Sequence, residues 1–272
     1  LDGNPDVVAA LGDLGSGEIR IFGGDGAGGF APGISRPAGN GTSAVAVGDF
    51  DGNGAPDVVA VSENDGGVHA FLGNGQGGLG PGTLVASGLG TPRGVVAADL
   101  TGDGLADVAV TAATGNAVAV FRSNGDGTFT PLATPGVGAN PLGIVAVDLD
   151  GDGDLDLLTA DSGSGQVSVL RNGGSGAFSP AVSTPVDGGP TAIAAFDVTG
   201  SLLPDVVVAT TASASVNLLE NAGGTLGTRT VHPVRTNPQA MAPFDVDGDG
   251  RLDLAVACRG ADSVVVLVAR PP

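Results

Sequence analysis

The sequence predicts an all-β fold, a β-propeller of about six four-stranded antiparallel blades with incomplete terminal blades. Three observations predict it. A nine-residue acidic loop recurs at a spacing of 48 to 50 residues. Short, turn-bounded runs rich in Val and Ala flank each loop, as strands require. The composition disfavours long helices, with 50 Gly among 272 residues, Glu nearly absent and Lys absent. A period of this length favours stacked units, because one unit alone cannot bury its apolar face. With no linker to break the pattern, 1–272 reads as a single domain.

Each unit opens on an apolar strand that enters the loop, as in Ser43–Val47 and Gly143–Val147. A second strand leaves it: Asp57–Val61, Asp107–Thr111, Asp156–Ala160, Asp205–Ala209 and Asp253–Ala257. After a polar turn comes a third strand: Glu18–Phe22, Val68–Leu72, Ala117–Phe121, Gln166–Leu170 and Ser215–Leu219. Its period-2 alternation predicts one face against a neighbouring unit and one face partly wet. A Gly-rich hairpin follows, such as Asn124–Phe129, where Asn-Gly and Asp-Gly supply positive φ. The fourth strand carries Pro (Pro131, Pro180), which places it at the outer edge. The first unit lacks its entering strand, and the last lacks a fourth strand after Ala269. Two closures fit: six blades from this chain, or a ring completed by residues outside it. The chain opens inside a loop, as a processed or excised piece would, and no signal peptide is visible.

The loops carry the chemistry. Their positions 1, 3, 5 and 9 hold oxygen side chains: Asp49, Asp51, Asn53, Asp57 in loop two; Asp99, Thr101, Asp103, Asp107 in loop three; Asp148, Asp150, Asp152, Asp156 in loop four; Asp245, Asp247, Asp249, Asp253 in loop six. Position 7 can add a backbone carbonyl. Hard cations such as Ca2+ take six to eight oxygens, and alternate residues of a tight loop can all point inward. Glycine at positions 4 and 6 permits the wrap. Loop five (Asp197, Thr199, Ser201, Asp205) has lost two carboxylates and the position-6 Gly, which is Leu202. A shortened copy, Asp2–Asp6, opens the chain. Charge count ranks loops four and six tightest, then two and three, with five the weakest. An EF-hand is excluded, because its twelfth-position Glu is replaced by Ala60, Val110, Thr159, Val208 and Val256 and the flanks are strands. Plain Asx turns are the alternative, but a turn needs one Asp and not four.

The loops, the Asp-Val-Val-Ala-Val strand and the Asn-Gly-Asp-Gly-Thr-Phe turn resemble FG-GAP/VCBS repeats, which build the integrin-α-type propeller and many secreted bacterial ones. The resemblance spans essentially the whole chain. It implies Ca2+ as the cofactor, with Ala55, Leu105, Asp154 and Arg251 lending the position-7 carbonyls. It also implies an extracellular or cell-surface setting, in a bacterium.

The formal charge of −19 argues against nucleic acid and against anionic membrane surfaces. No apolar stretch is long enough for membrane insertion. Cys258 is the only cysteine and reads as a buried apolar residue. Gly24–Gly29 and Gly73–Gly78 match a dinucleotide fingerprint, yet neither opens a helix. Phe30, Phe129 and Phe178 read as packing between units. His69 and His232 sit in no visible catalytic set. The expectation is therefore a non-enzymatic adhesion or protein-interaction module. A lectin with sugar sites between blades, or an accessory domain of a larger secreted enzyme, is the alternative, and the ligand is a protein or a glycan.

Overall fold

The structure, a computed structural model, describes residues 3–13 and 16–269. The described residues form six antiparallel meander sheets. Blade 1 holds β1 (Val7–Asp13), β2 (Ser16–Phe22) and β3 (Ile34–Pro37). Blade 2 holds β4 (Thr42–Gly48), β5 (Asp57–Ser62), β6 (Gly67–Phe71) and β7 (Thr83–Ala86). Blade 3 holds β8 (Pro92–Ala98), β9 (Asp107–Ala112), β10 (Ala117–Ser123) and β11 (Phe129–Pro131). Blade 4 holds β12 (Pro141–Val147), β13 (Asp156–Asp161), β14 (Gln166–Leu170) and β15 (Val182–Pro185). Blade 5 holds β16 (Pro190–Phe196), β17 (Asp205–Thr210), β18 (Ser215–Asn221) and β19 (Leu226–Pro233). Blade 6 holds β20 (Pro238–Phe244), β21 (Asp253–Cys258) and β22 (Ser263–Leu267). These are the blades of a β-propeller. The three-stranded blades are the first and the last, and they lack the strands expected to be missing.

The chain divides into two compact units, Leu1–Thr134 with Ser175–Ala177, and Pro135–Gly174 with Phe178–Pro272. In the first unit, Ile19 and Ile21 of blade 1 pack on Val58, Ala60 and Phe71 of blade 2. The other face of β5, Val59 and Val61, packs with Val108, Val110 and Phe121 of blade 3. In the second unit, Val206 and Val208 of β17 face Leu158, Ala160 and Val169 of blade 4. Val207 faces the opposite way, onto Leu254, Val256 and Cys258 of blade 6. Period-2 alternation here separates two buried faces.

In the inner blades that corrects the expectation of a half-wet third strand, whereas β2 and β22 of the terminal blades keep the alternation. Strands β6 and β14 are buried along nearly their whole length, because neighbouring blades cover both faces. A second correction concerns the phenylalanines. Phe129 meets the buried Phe50 edge-on at 5.4 Å, whereas Phe30 is 57% exposed. The recurring aromatic or aliphatic anchor is instead loop position 2, where Phe50, Leu100 and Leu149 are fully buried. Cys258 is buried and free, as expected. Both glycine fingerprints lie in hairpins after a third strand, closed by the bridges Gly24 to Phe30 and Gly73 to Leu79.

Candidate metal centres

Each of loops two to six connects the first strand of its blade to the second, and the same backbone bonds recur in these five. The position-1 carboxylate folds back over its own loop. In loop two, Asp49 accepts the N–H of Gly52 and of Gly54, both at 2.8 Å. Asp99, Asp148, Asp197 and Asp245 repeat this with the residues at positions 4 and 6. The wrap needs positive φ at both positions. Gly52 and Gly54 adopt 73° and 77°. Loop five makes the same wrap with Leu202 at a φ of 74°, a conformation costly for a side chain with a Cβ.

The position-9 aspartate starts the second strand and is buried to 0–2% exposure in loops two to six. One of its oxygens accepts the N–H of position 2, and the other accepts an N–H sixteen residues on, at the end of the third strand. Asp57 takes Phe50 at 2.7 Å and Gly73 at 2.6 Å. Asp107 takes Leu100 and Ser123, and Asp205 takes Val198, Thr199 and Asn221. Asp253 takes Val246 and Ala269. Burial pushes the carboxyls of Asp57, Asp107 and Asp156 up, while these backbone bonds pull them down. In the short first copy, Asp6 accepts the N–H of Gly24 at 2.9 Å, and Asp2 lies outside the described residues.

Position 5 also has a backbone duty. Asn53, Asp103, Asp152, Ser201 and Asp249 each accept the N–H of position 7. Position 3 has the lightest duty: Asp51 accepts the N–H of Asn53 at 3.1 Å and Asp247 that of Asp249 at 3.3 Å. Asp51, Asp150 and Asp247 occupy it in loops two, four and six, and threonine occupies it in loops three and five.

The clusters follow that split. Oxygens of Asp49, Asp51 and Asp57 lie within 4.8 Å of one another, as do those of Asp245, Asp247 and Asp253, and those of Asp148, Asp150 and Asp152. These acidic clusters can hold a metal ion. Their donors are all oxygens, which suits a hard divalent cation and not a thiophilic one. Asp99, Thr101, Asp103 and Asp107 of loop three form no such three-carboxylate cluster among the described residues, and neither does loop five.

Loop four carries one feature that counting acids cannot reveal. The Arg171 guanidinium, on the connection after β14, is paired with Asp150 at 3.3 Å and more closely with Asp156. Sequence reading missed it because Arg171 lies fifteen residues beyond the loop.

A family profile described as FG-GAP-like repeat matches residues 1–60, 49–110, 107–159, 148–208 and 197–256. The chain belongs to the FG-GAP-like repeat family. Comparison with curated protein sequences returned no match. Among solved structures it resembles an Agrocybe aegerita lectin recognising non-reducing terminal N-acetylglucosamine, with 22% identity, TM-score 0.60, and coverage of 93% of this chain and 75% of that one. It also resembles a periplasmic gluconolactonase of Pseudomonas aeruginosa, with 14% identity, TM-score 0.65, and coverage of 97% and 70%. A Lactobacillus plantarum protein matches at 17% identity and TM-score 0.68, over 100% and 84%. At these identities the likeness is one of fold. No helix of the described residues is long and apolar enough to cross a membrane.

Proposed function

We propose that this chain is a calcium-stabilised propeller module that works outside the cell as an adhesion or protein-interaction scaffold, by binding and not by catalysis. The observation that carries the cation reading is the position-3 carboxylate. Asp51 and Asp247 bring a further negative charge to loops whose wrap is made by positions 1, 5 and 9. Loop five shows that the wrap forms without that charge, because Thr199 stands there. Asp51 and Asp247 each accept one position-5 N–H, at 3.1 and 3.3 Å, a bond that position 1 makes instead in loops three and five. Their charge therefore adds repulsion for no backbone bond the wrap would otherwise lack, unless a cation lies between the carboxylates.

Bound Ca2+ would supply a positive charge that cancels this repulsion and links the carboxylates of one loop. The residues that would hold it are Asp49, Asp51, Asn53 and Asp57 in loop two, and Asp245, Asp247, Asp249 and Asp253 in loop six. The carbonyls of Ala55 and Arg251 are the expected backbone donors. An ion bound by the folded loops alone stabilises the fold by mass action, about 2.7 kcal/mol per site at a hundredfold excess over Kd. Extracellular calcium suits such sites, which is why the module is placed outside the cell.

The non-enzymatic reading has its own support. The groove beside β22 is lined mainly by apolar side chains, among them Phe196, Val207, Leu254 and Leu267, with His232 and Asp253 as its titratable groups. Its carboxylate, Asp253, already accepts two backbone N–H groups. The test is thermal unfolding with saturating Ca2+ and with chelator. A large upward shift of Tm with Ca2+ is expected, and superimposable curves would refute the proposal.

A further inference from the structure

We propose that Arg171 is the resident cation of loop four, so that this loop is caged by a guanidinium from its own blade and does not take up a divalent ion. The inference rests on the reading of the loops as cation cages and assigns one of them an internal occupant.

Four observations converge on it. Arg171 spans two of the five carboxylates of loop four: its Nη1 lies 3.3 Å from Asp150 at position 3 and bonds closely to Asp156 at position 9. The pair is sheltered, with the Arg171 side chain 22% exposed and that of Asp156 1%. Sheltered ion pairs of this kind resist the screening that makes surface pairs weak.

Second, the bond that all the other full loops make is lengthened in loop four, where its acceptor oxygen is shared with Arg171. In loop four the position-2 N–H of Leu149 is 3.4 Å from Asp156, compared with 2.7, 3.0 and 2.8 Å at the same place in loops two, three and six. The Asp156 oxygen that Leu149 addresses is the same one that Arg171 engages. Accordingly, the cluster of loop four contains position 5, Asp152, where those of loops two and six contain position 9.

Third, Nη2 of Arg171 donates to the carbonyl of Gly224, in the hairpin between β18 and β19 of blade 5. That hairpin backs directly onto the loop: a Cβ added to Gly224 would stand 2.6 Å from the Cβ of Asp150. The guanidinium therefore closes the cage and ties blade 4 to blade 5. A planar fork with five donors can serve both tasks, which a spherical ion cannot do in the same way.

Fourth, blade 3 provides an internal control. Arg122 stands at the equivalent place, fifteen residues after Asp107, but loop three has Thr101 at position 3, and Arg122 is exposed. The arginine turns inward where the third-position carboxylate is present.

The test uses Arg171→Met, Asp150→Asn and their combination, with Asp51→Asn in loop two as the control. Calcium stoichiometry is read by titration calorimetry, and Tm is read in chelator. Expected in Ca2+ is the loss of one bound ion in D51N and none in D150N, with one ion gained in R171M and lost again in the double variant. Expected in chelator is a lower Tm for R171M and for D150N, with the double variant no worse than the weaker single one. Loss of one ion in D150N alone would overturn the proposal, as would wild-type behaviour of R171M in both measurements. If no form binds Ca2+, the calcium reading fails, and the chelator melts alone decide the ion pair: coupled losses uphold it and additive or absent losses overturn it.

Discussion

Replacing Asp205 by Ala separates the carboxylates that hold the fold from those that would hold a metal. Asp205 is fully buried in loop five and accepts three backbone N–H groups, from Val198 at 3.0 Å, Thr199 at 2.9 Å and Asn221 at 2.9 Å. Hydrogen bonds to a charged acceptor are worth about 1.5–3 kcal/mol each, and a buried donor left without a partner costs about 1–3 kcal/mol. The three share one carboxylate and the two at the loop can reach water, so the sum is not additive; about 3–5 kcal/mol is expected. For a chain of this size that is roughly 10 °C in Tm. Asp51→Asn is the contrasting variant. Asp51 accepts only from Asn53, through its backbone N–H at 3.1 Å and its side chain at 2.9 Å. Without metal its replacement should cost under about 0.5 kcal/mol. Thermal and urea unfolding of both variants, with Ca2+ and with chelator, form the assay. The Asp205→Ala loss should be the same in both conditions, whereas the Asp51→Asn loss should emerge only with Ca2+. Equal sensitivity of the two variants to Ca2+, or a mild Asp205→Ala, would refute the division of labour.

Three further outcomes are expected. Leu202 is 91% exposed and holds a φ of 74°, so Leu202→Gly should raise stability by about 1 kcal/mol, checked by urea unfolding. Thr101→Asp supplies loop three with the carboxylate it lacks at position 3, and calcium stoichiometry should rise by one in calorimetry. Asp161, buried in blade 4, has its pKa raised by burial against the hydrogen bonds of Ser168, Thr159 and Gly138. A carboxyl whose folded pKa exceeds its unfolded value favours the folded state as pH falls toward and through that folded pKa. In chelator, Asp161→Asn should remove this contribution and flatten stability against pH over the acidic side of neutrality.

The repeat, the strand order and the missing terminal strands were legible because the loops are exposed, glycine-rich and regularly spaced. The acidic positions of the loops were legible as residue types. What a single strand of letters hides is the second duty of those types. Asp57 and Asp205 look like ligands of unequal sites, yet both pin the end of a third strand sixteen residues away. That bond joins segments close only after the blade has folded. The same reason concealed Arg171, whose charge reaches loop four across the sheet and cannot be credited by counting carboxylates within nine residues. The burial of both faces of the third strands in the inner blades was misread because alternation of Val with Ala, Ser or Asn resembles a half-wet strand. Small residues such as Ser168 and Asn217 are themselves buried here.

The most direct measurement is anomalous scattering from crystals grown with abundant Ca2+. Peaks are expected between Asp49, Asp51 and Asp57 and between Asp245, Asp247 and Asp253, with none in loop five. Loops two and six without a peak, or a peak in loop five as strong as theirs, would contradict the assignment of the third-position carboxylate to a bound cation.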